Sequence, residues 1–245
     1  MDLYRKKIAS IFNEHPDLQN ERPGIRWAFQ PIKRETKYLV LGINPSNSVT
    51  KVNSVINQSG SRWSDGPFMD QYDYDTFLSD PNNAPKILLL QDLAHKHHPH
   101  FKKHRYFAEK LGLQTEDYQF FDLFPIWRIK QKDFIQELKS EQKRSSIDAF
   151  IDLLDRHSQL KGLLFFNSTA AKFFMQERHF NWHLKEKVNV RKADDIRGAR
   201  HSLAKKGEIK LSFRSIHVHC LGIGGYFGKP EMEKLGQAWG KHLSN

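Results

Sequence analysis

The feature that most constrains the fold is an apolar run, residues 38–41, which ends at Gly42 and is followed by Ile-Asn-Pro-Ser. The run predicts a short buried strand, and Pro45 cannot extend it because proline lacks a backbone donor. Glycine at the strand end lets the backbone turn sharply and approach a ligand closely. In an open α/β sheet, ligands bind beyond the carboxyl ends of strands, where Asn44 would lie. The pattern alone favours a simpler interpretation, a strand exit with a turn-forming asparagine.

Further apolar segments alternate with helical patterns, which predicts a three-layer α/β/α fold with a central, mainly parallel sheet. The additional strands are predicted over residues 118–125, 160–166 and 214–221. Amphipathic helices are predicted over residues 146–157 and 230–243. Strand ends of such a sheet converge at one edge. The groups predicted to meet or neighbour one another there are Asn44, Asp122, residues 167–169 and the glycine-rich loop 222–228.

The chain is predicted to form a single domain over residues 1–245, since it contains no repeat, low-complexity tract or linker. Residues 1–35 are predicted to form an N-terminal helix and an entry loop. Residues 46–85 are predicted to form a long insertion. Its first part, residues 46–70, is polar and predicted to be a loop, which is unusual in a compact domain and often functional. The acidic residues 70–80 are predicted to be solvated.

The charge of the chain indicates a polyanionic partner. Lys and Arg number 39 against 28 acidic residues, so the formal net charge is +11 and the pI is about 9.6. Nucleic acid is the first candidate for such a partner. The single cysteine, Cys220, excludes an internal disulfide and is typical of a reducing compartment. The sequence contains no signal peptide and no membrane-length apolar run, so we expect a cytoplasmic protein without a membrane partner.

The most basic run is residues 95–105, which holds five histidines and four cations without an acid. It favours a phosphate-facing loop in which Lys102, Lys103, His104 and Arg105 contact DNA. A metal site built from His97 with His100 or His104 is the alternative, and an inert surface is another. Proline at position 99 and the absence of a cysteine or carboxylate disfavour the metal site, so no metal is expected. Residues 191–214 predict a second basic element, a hairpin or a loop.

The order of these segments resembles the uracil-DNA glycosylase superfamily, and most closely its mismatch-specific uracil/thymine branch. Gly-Ile-Asn-Pro-Ser at residues 42–46 is similar to the Gly-Ile-Asn-Pro-Gly motif of that branch. His-Arg-Tyr-Phe at residues 104–107 resembles an Asn-Arg-Phe-Trp segment of the family. Residues 163–171 and the helix from residue 232 resemble its penultimate strand-to-helix join and its C-terminal helix. The likeness spans roughly residues 36–243.

The resemblance implies a uracil-DNA-glycosylase-like fold and a monofunctional DNA glycosylase, active as a monomer without a cofactor. Such an enzyme hydrolyses the N-glycosidic bond of a flipped base and leaves an abasic site. Asn44 would position the water, and Asp122 would contact the base or stabilise the sugar cation. The implied base pocket consists of Gly42, Ile43, Pro45, Ser46, Phe121, Asn167 and His219. Further implied DNA contacts are Ser168, Gly224, Gly225, Tyr226 and Lys229.

Two departures from the family pattern bear on the substrate. The glycine-rich loop replaces a His-Pro-Ser or Asn-Pro-Ser motif, which widens the expected pocket. Asp122 replaces an asparagine that reads uracil in several branches, and an ionised carboxylate only accepts hydrogen bonds. It therefore suits an exocyclic amine, and we hypothesise a cytosine-type, modified base. Alternatively, Asp122 caps a helix or pairs with Arg128. Trp63 and Phe68 are the candidates for the aromatic that stacks on the base.

Other functions compatible with the sequence are a non-catalytic nucleic-acid-binding module and a hydrolase or transferase of nucleotides. The module would bind DNA without releasing a base. The nucleotide enzyme would act on mononucleotides and bind DNA with little salt dependence. For a glycosylase, the sequence is compatible both with base-excision DNA repair and with defence against modified foreign DNA.

Overall fold

The computed structural model describes residues 31–42, 48–124, 138–177, 181–191, 200–223 and 227–243, together with Tyr4, Lys7, Ile8, Ser10 and Gln136. The side chains of Ser61, Ser79, Ser168, Glu177 and Asn181 lie outside this description. Every structural statement below concerns the described residues.

A six-stranded sheet with the strand order β2-β1-β3-β6-β5-β4 forms the centre of the fold. The strands are β1 (Tyr38–Gly42), β2 (Tyr118–Asp122), β3 (Gly162–Phe165), β4 (Asn181–Arg191), β5 (Arg200–Lys210) and β6 (Ser215–Cys220). Strands β1, β3 and β6 run parallel, while β4 and β5 form an antiparallel hairpin at one edge. The first four residues of β1 and all of β3 are buried, which is why these strands are apolar on both faces.

Seven α-helices lie within the described residues. They are α1 (Val49–Ser59), α2 (Gln71–Ser79), α3 (Ala84–His97), α4 (Pro99–Lys110), α5 (Ser140–Asp155), α6 (Ser168–Glu177) and α7 (Lys229–Gly240). Short 3-10 helices span Gly60–Arg62 and Pro81–Asn83. The elements confirm the predicted α/β class with a mostly parallel central sheet, consistent with three layers. None of the described helices is long and apolar enough to cross a membrane.

The contacts divide the chain into two compact units. Unit 1 comprises Met1–Lys33, Ile43–Lys102 and Asp122–Leu153, and unit 2 comprises Arg34–Gly42, Lys103–Phe121 and Leu154–Asn245. The core of unit 2 includes the fully buried Phe107, Leu164, Leu235 and Trp239. Phe166 belongs to the same core, so residues from β3, α4 and α7 pack together there.

Unit 1 corrects the prediction that residues 46–70 form a loop. Residues 49–59 are helical, and Val52, Val55 and Ile56 are buried at helical spacing. Trp63 and Phe68 are 7% and 9% exposed and pack in this core, so they do not form an exposed stacking surface. The acidic residues 70–80 are also mostly helical, because Asp70 caps α2 by accepting from the backbone N–H of Asp73.

The prediction of a loop over residues 95–105 was also wrong. Helix α3 ends at His97, and α4 begins at Pro99, where the missing N–H of proline is not needed. The imidazole Nδ1 of His98 accepts from the backbone N–H of His100 at 3.0 Å. His98 therefore stabilises the first turn of α4. Residues 191–214, predicted as a basic hairpin or loop, contain strand β5, and its antiparallel partner β4 (Asn181–Arg191) precedes that range.

Candidate functional site

Most of the motif at residues 42–46 lies outside the described residues, namely Ile43, Asn44, Pro45 and Ser46. Three predicted DNA contacts, Gly224, Gly225 and Tyr226, also lie outside, as does the side chain of Ser168. Arg128, the alternative ion-pair partner of Asp122, also lies outside. Gly42 is described and ends β1, as the sequence predicted. The roles of the undescribed residues stay predictions.

Asp122 is the last residue of β2 and belongs to unit 1. Its side chain is partly exposed, yet burial raises the pKa of its carboxyl group to about 7. Tyr4 of the same unit is buried, and its hydroxyl donates to the carbonyl of Leu123 at 2.6 Å. Burial and the charge of Asp122 both raise the pKa of Tyr4, so this neighbour stays a neutral phenol.

The raised pKa changes what Asp122 can do chemically. With a pKa of about 7, the protonated and the ionised carboxyl group are both populated near neutral pH, so the side chain is a donor in one form and a pure acceptor in the other. The preference for an exocyclic amine that the sequence predicts requires the ionised form. Selectivity for an exocyclic amine is therefore expected at pH values above about 7, where the carboxyl group of Asp122 is ionised. A carboxyl with such a pKa is also suited to general acid–base chemistry near neutral pH.

In unit 2, Asn167 follows the carboxyl end of β3 and caps helix α6. Its side-chain carbonyl accepts from the backbone N–H of Thr169 at 2.7 Å, and its backbone carbonyl accepts from Ala171 at 3.1 Å. The residue is partly exposed. The predicted join between strand β3 and helix α6 is therefore present, and the side-chain oxygen of Asn167 forms the N-cap of the helix.

The other two described pocket candidates are buried. Phe121 is 1% exposed. His219 is completely buried, and its Nδ1 accepts from the indole N–H of Trp239 at 3.2 Å. Burial lowers the pKa of His219 to about 3, so its imidazole is neutral. The structure thus places His219 against α7, in the core of unit 2.

His104, on α4, contacts the aromatic residues around the end of β3. Its ring is stacked with that of Phe166, with centroids 6.0 Å apart and an interplanar angle of 8°. The ring of Phe120 meets His104 edge-on at 5.6 Å. Phe166 immediately precedes Asn167, and its carbonyl accepts from the N–H of Ile223, which follows β6. An imidazole and two phenyl rings therefore cluster beside the carboxyl ends of β3 and β6.

Cations of unit 2 are associated with aromatic rings. The guanidinium of Arg200 lies 4.8 Å from the ring centroid of Phe227, and the ammonium of Lys229 lies 5.4 Å from that of Tyr106. Burial and the charge of Arg200 lower the pKa of Lys103, which indicates that these two cations are near each other. We call Lys103, Arg200 and Lys229 the cation cluster.

The nearby acid, Glu231, is 1% exposed, and its charge raises the pKa of Lys103. It accepts from the Arg191 guanidinium at 2.8 Å and from the backbone N–H of Gly228 at 3.0 Å. Arg200 was not among the residues predicted individually, although the basic composition of residues 191–214 indicated its region.

Lys102 and Arg105, the remaining predicted DNA contacts, lie on the same helix. Lys102 is exposed, whereas Arg105 is partly buried and close enough to Tyr118 to lower the pKa of that phenol, which burial raises to about 12. The cations predicted to lie on one basic loop therefore lie on a helix and differ in their exposure.

Comparison with known proteins identifies no family. No protein-family model and no curated protein matches the chain. Among solved structures, it is similar to a domain of unknown function (DUF1537) from Bordetella bronchiseptica, a domain-swapped dimer with bound citrate. The identity is 14% and the TM-score 0.29, and the match covers 82% of this chain and 41% of that one. The chain thus spans less than half of that structure, and so remote a likeness carries no argument.

Proposed function

We propose that this chain is a DNA glycosylase that hydrolyses the N-glycosidic bond of a flipped base and leaves an abasic site. The observation that carries the proposal is the juxtaposition in unit 2 of the His104–Phe166 stack with the cation cluster, beside the carboxyl ends of parallel strands. Aromatic rings flanked by cations are typical of surfaces that hold an unpaired nucleotide. The net charge of +11 and the family resemblance of residues 42–46 support the same function.

In this proposal Lys103, Arg200 and Lys229 contact the phosphates that flank the flipped nucleotide. Each such contact releases counterions, so DNA affinity falls steeply with salt. His104 and its aromatic neighbours stabilise the distorted strand by contacting unstacked bases. These contacts position the nucleotide, whereas the choice of base depends on other groups.

For the chemical step, we assign to Asn44 the orientation of the attacking water. An amide is too weak a base to remove a proton at the start, so its carbonyl accepts a hydrogen bond from the water. The bond between C1′ and the base nitrogen breaks, the nitrogen keeps the electron pair, and the sugar becomes cation-like. The water oxygen then bonds to C1′, and the proton that the water loses passes through solvent to the departing base. Ionised Asp122 stabilises the positive sugar or accepts from the base, and no cofactor is required.

The substrate we propose is a cytosine-type base, including modified forms, because an ionised carboxylate accepts from an exocyclic amine. The pKa of about 7 adds a condition, since only the ionised fraction can discriminate in this way. Preference for such a base should therefore increase as the pH rises through about 7. We further propose that the protein acts on DNA as a monomer in the cytoplasm, in repair or in defence against modified foreign DNA.

The test is cleavage of duplexes that contain uracil, thymine mismatches, cytosine or modified cytosines, followed by detection of abasic sites. We expect Asn44→Ala to abolish base release and Asp122→Asn to change the preferred base. Matched controls are Asn57→Ala and Asp148→Asn, which replace exposed residues of helices α1 and α5. These should retain wild-type activity. Excision of uracil alone would refute the proposed substrate, and salt-sensitive DNA binding without release of any base would refute the glycosylase itself.

A further inference from the structure

Three neighbouring strands at the antiparallel edge of the sheet bring together two histidines and a glutamate. His183 lies on β4, Glu208 on β5 and His217 on β6. One ligand atom from each residue can be chosen so that all three atoms lie within 4.8 Å of one another. The three residues belong to unit 2.

The strand register explains why these side chains meet. Glu208 is the direct antiparallel partner of His217. The register between β4 and β5 shifts between Trp182 and Leu184, so His183 is the extra residue of a bulge. A bulge re-aims the side chain of its extra residue. The bulge therefore accounts for the position of His183 beside the cross-strand pair Glu208 and His217.

The residue types match those of known metal sites. Two imidazoles and one carboxylate form the ligand set of catalytic zinc sites and of non-haem iron sites. Ligand atoms around a tetrahedral zinc with bonds of about 2.0–2.1 Å lie about 3.3 Å apart. The observed limit of 4.8 Å therefore requires the ligands to approach by up to about 1.5 Å. His183 and Glu208 are exposed, so small rotations of their side chains can supply this movement.

An ordinary ion pair does not account for the arrangement. The Nδ1 of His217 lies 3.5 Å from the carboxylate of Glu208, too far for a good hydrogen bond. This Nδ1 is buried and has no hydrogen-bond partner among the described residues. The neighbouring cation, Lys206, donates to the backbone carbonyl of His242 at 3.0 Å. The buried Nδ1 of His217 therefore lies near the carboxylate of Glu208 and the imidazole of His183.

We propose that His183, Glu208 and His217 bind one divalent transition-metal ion, with zinc as the best match. Three protein ligands leave at least one coordination position for water or a small ligand. The exposed side chains of His183 and Glu208 give the ion a route of entry from solvent. The site lies near the amino end of β6, away from the carboxyl ends used by the proposed glycosylase, so it does not depend on that function.

The test is a titration of the chelator-treated, full-length protein with zinc, measured by calorimetry, and with cobalt, measured by visible absorption. We expect one equivalent of zinc to bind tightly. Bound cobalt should show the visible absorption of an ion with a low coordination number and with nitrogen and oxygen ligands. His183→Ala and Glu208→Gln should each weaken zinc binding at least about tenfold. His201→Ala is the matched control, because His201 is an exposed histidine of the same strand as Glu208, and it should bind like the wild type.

Thermal unfolding with and without zinc separates binding from folding defects. Without metal, the variants of the exposed His183 and Glu208 should melt like the wild type. Zinc should raise the melting temperature of the wild type and of His201→Ala more than that of either ligand variant. The proposal is overturned if the wild type binds no stoichiometric zinc. It is equally overturned if the ligand variants bind zinc as tightly as the wild type, or if His201→Ala loses as much affinity as they do.

Discussion

Asp122→Asn should change how the stability of the protein depends on pH. Burial raises the pKa of Asp122 from 3.8 to about 7 in the folded state. Between these values the folded protein keeps a proton that the unfolded chain has already lost. The free energy of unfolding therefore decreases as the pH rises from about 4 to about 7, and this decrease is complete above about pH 7. Asparagine does not titrate, so the variant lacks this contribution.

The size of this change in the free energy of unfolding follows from the difference between the folded and unfolded pKa values of Asp122. Each pH unit between them corresponds to about 1.36 kcal/mol, so the full effect of a shift from 3.8 to about 7 is at most about 4 kcal/mol. The side chain is partly exposed, and solvent reduces the cost of its charge. We therefore expect about 2 kcal/mol between about pH 5 and about pH 8.

The assay is urea unfolding of both proteins at about pH 5 and about pH 8. The other ionisable groups are common to the two proteins, so the change in their stability difference isolates Asp122. We expect the variant to gain about 2 kcal/mol relative to the wild type at the higher pH. Asp148→Asn, on the exposed face of α5, should show no such gain. Identical pH dependence of Asp122→Asn and the wild type would refute the raised pKa and the pH-dependent selectivity derived from it.

Two further predictions concern unit 2. Arg200→Ala should weaken DNA binding, and the slope of log affinity against log salt should decrease by about 1, as measured by fluorescence anisotropy. Arg144→Ala, an exposed arginine of α5, should leave this slope unchanged. Gly236→Ala should destabilise the protein by about 1–3 kcal/mol in urea unfolding, because the new Cβ would lie 2.5 Å from the Cβ of Lys110. Gln237→Ala, on the exposed side of α7, should have little effect, and equal stability of the two variants would contradict this close approach.

The strands were predictable because their burial dictates their composition. Residues 38–41 and 162–165 are buried on both faces, so they form uninterrupted apolar runs. Helix α1 was missed because only Val52, Val55 and Ile56 are buried in an otherwise polar segment. Their helical spacing was the available signal. The first part of helix α4 was missed because Pro99 was taken as a helix breaker, although proline is favourable in the first turn. The second part, from Arg105, was predicted as a helix that stops at Gly112.

The candidate sites were less predictable than the strands, because their properties arise between distant residues. The aspartate at the end of β2 was found from the sequence, but its pKa depends on burial in the folded protein. His104 was predicted to bind phosphate, whereas its stacking on Phe166 requires the contact between α4 and the end of β3. The His183–Glu208–His217 group carries no local motif, since its members come from three strands and depend on a bulge.

The two proposed sites use opposite ends of the same strands. Parallel strands β1, β3 and β6 present their carboxyl ends to the His104–Phe166 stack, while His217 lies near the amino end of β6. His217 pairs with Gly162 in the register between β3 and β6, and Phe166 lies four residues beyond Gly162. At about 3.3 Å per residue, this separation along the strand is about 13 Å. An ion bound at His217 therefore lies too far away to coordinate a base or water beside Phe166. Loss of zinc binding and loss of base release consequently test independent parts of the molecule.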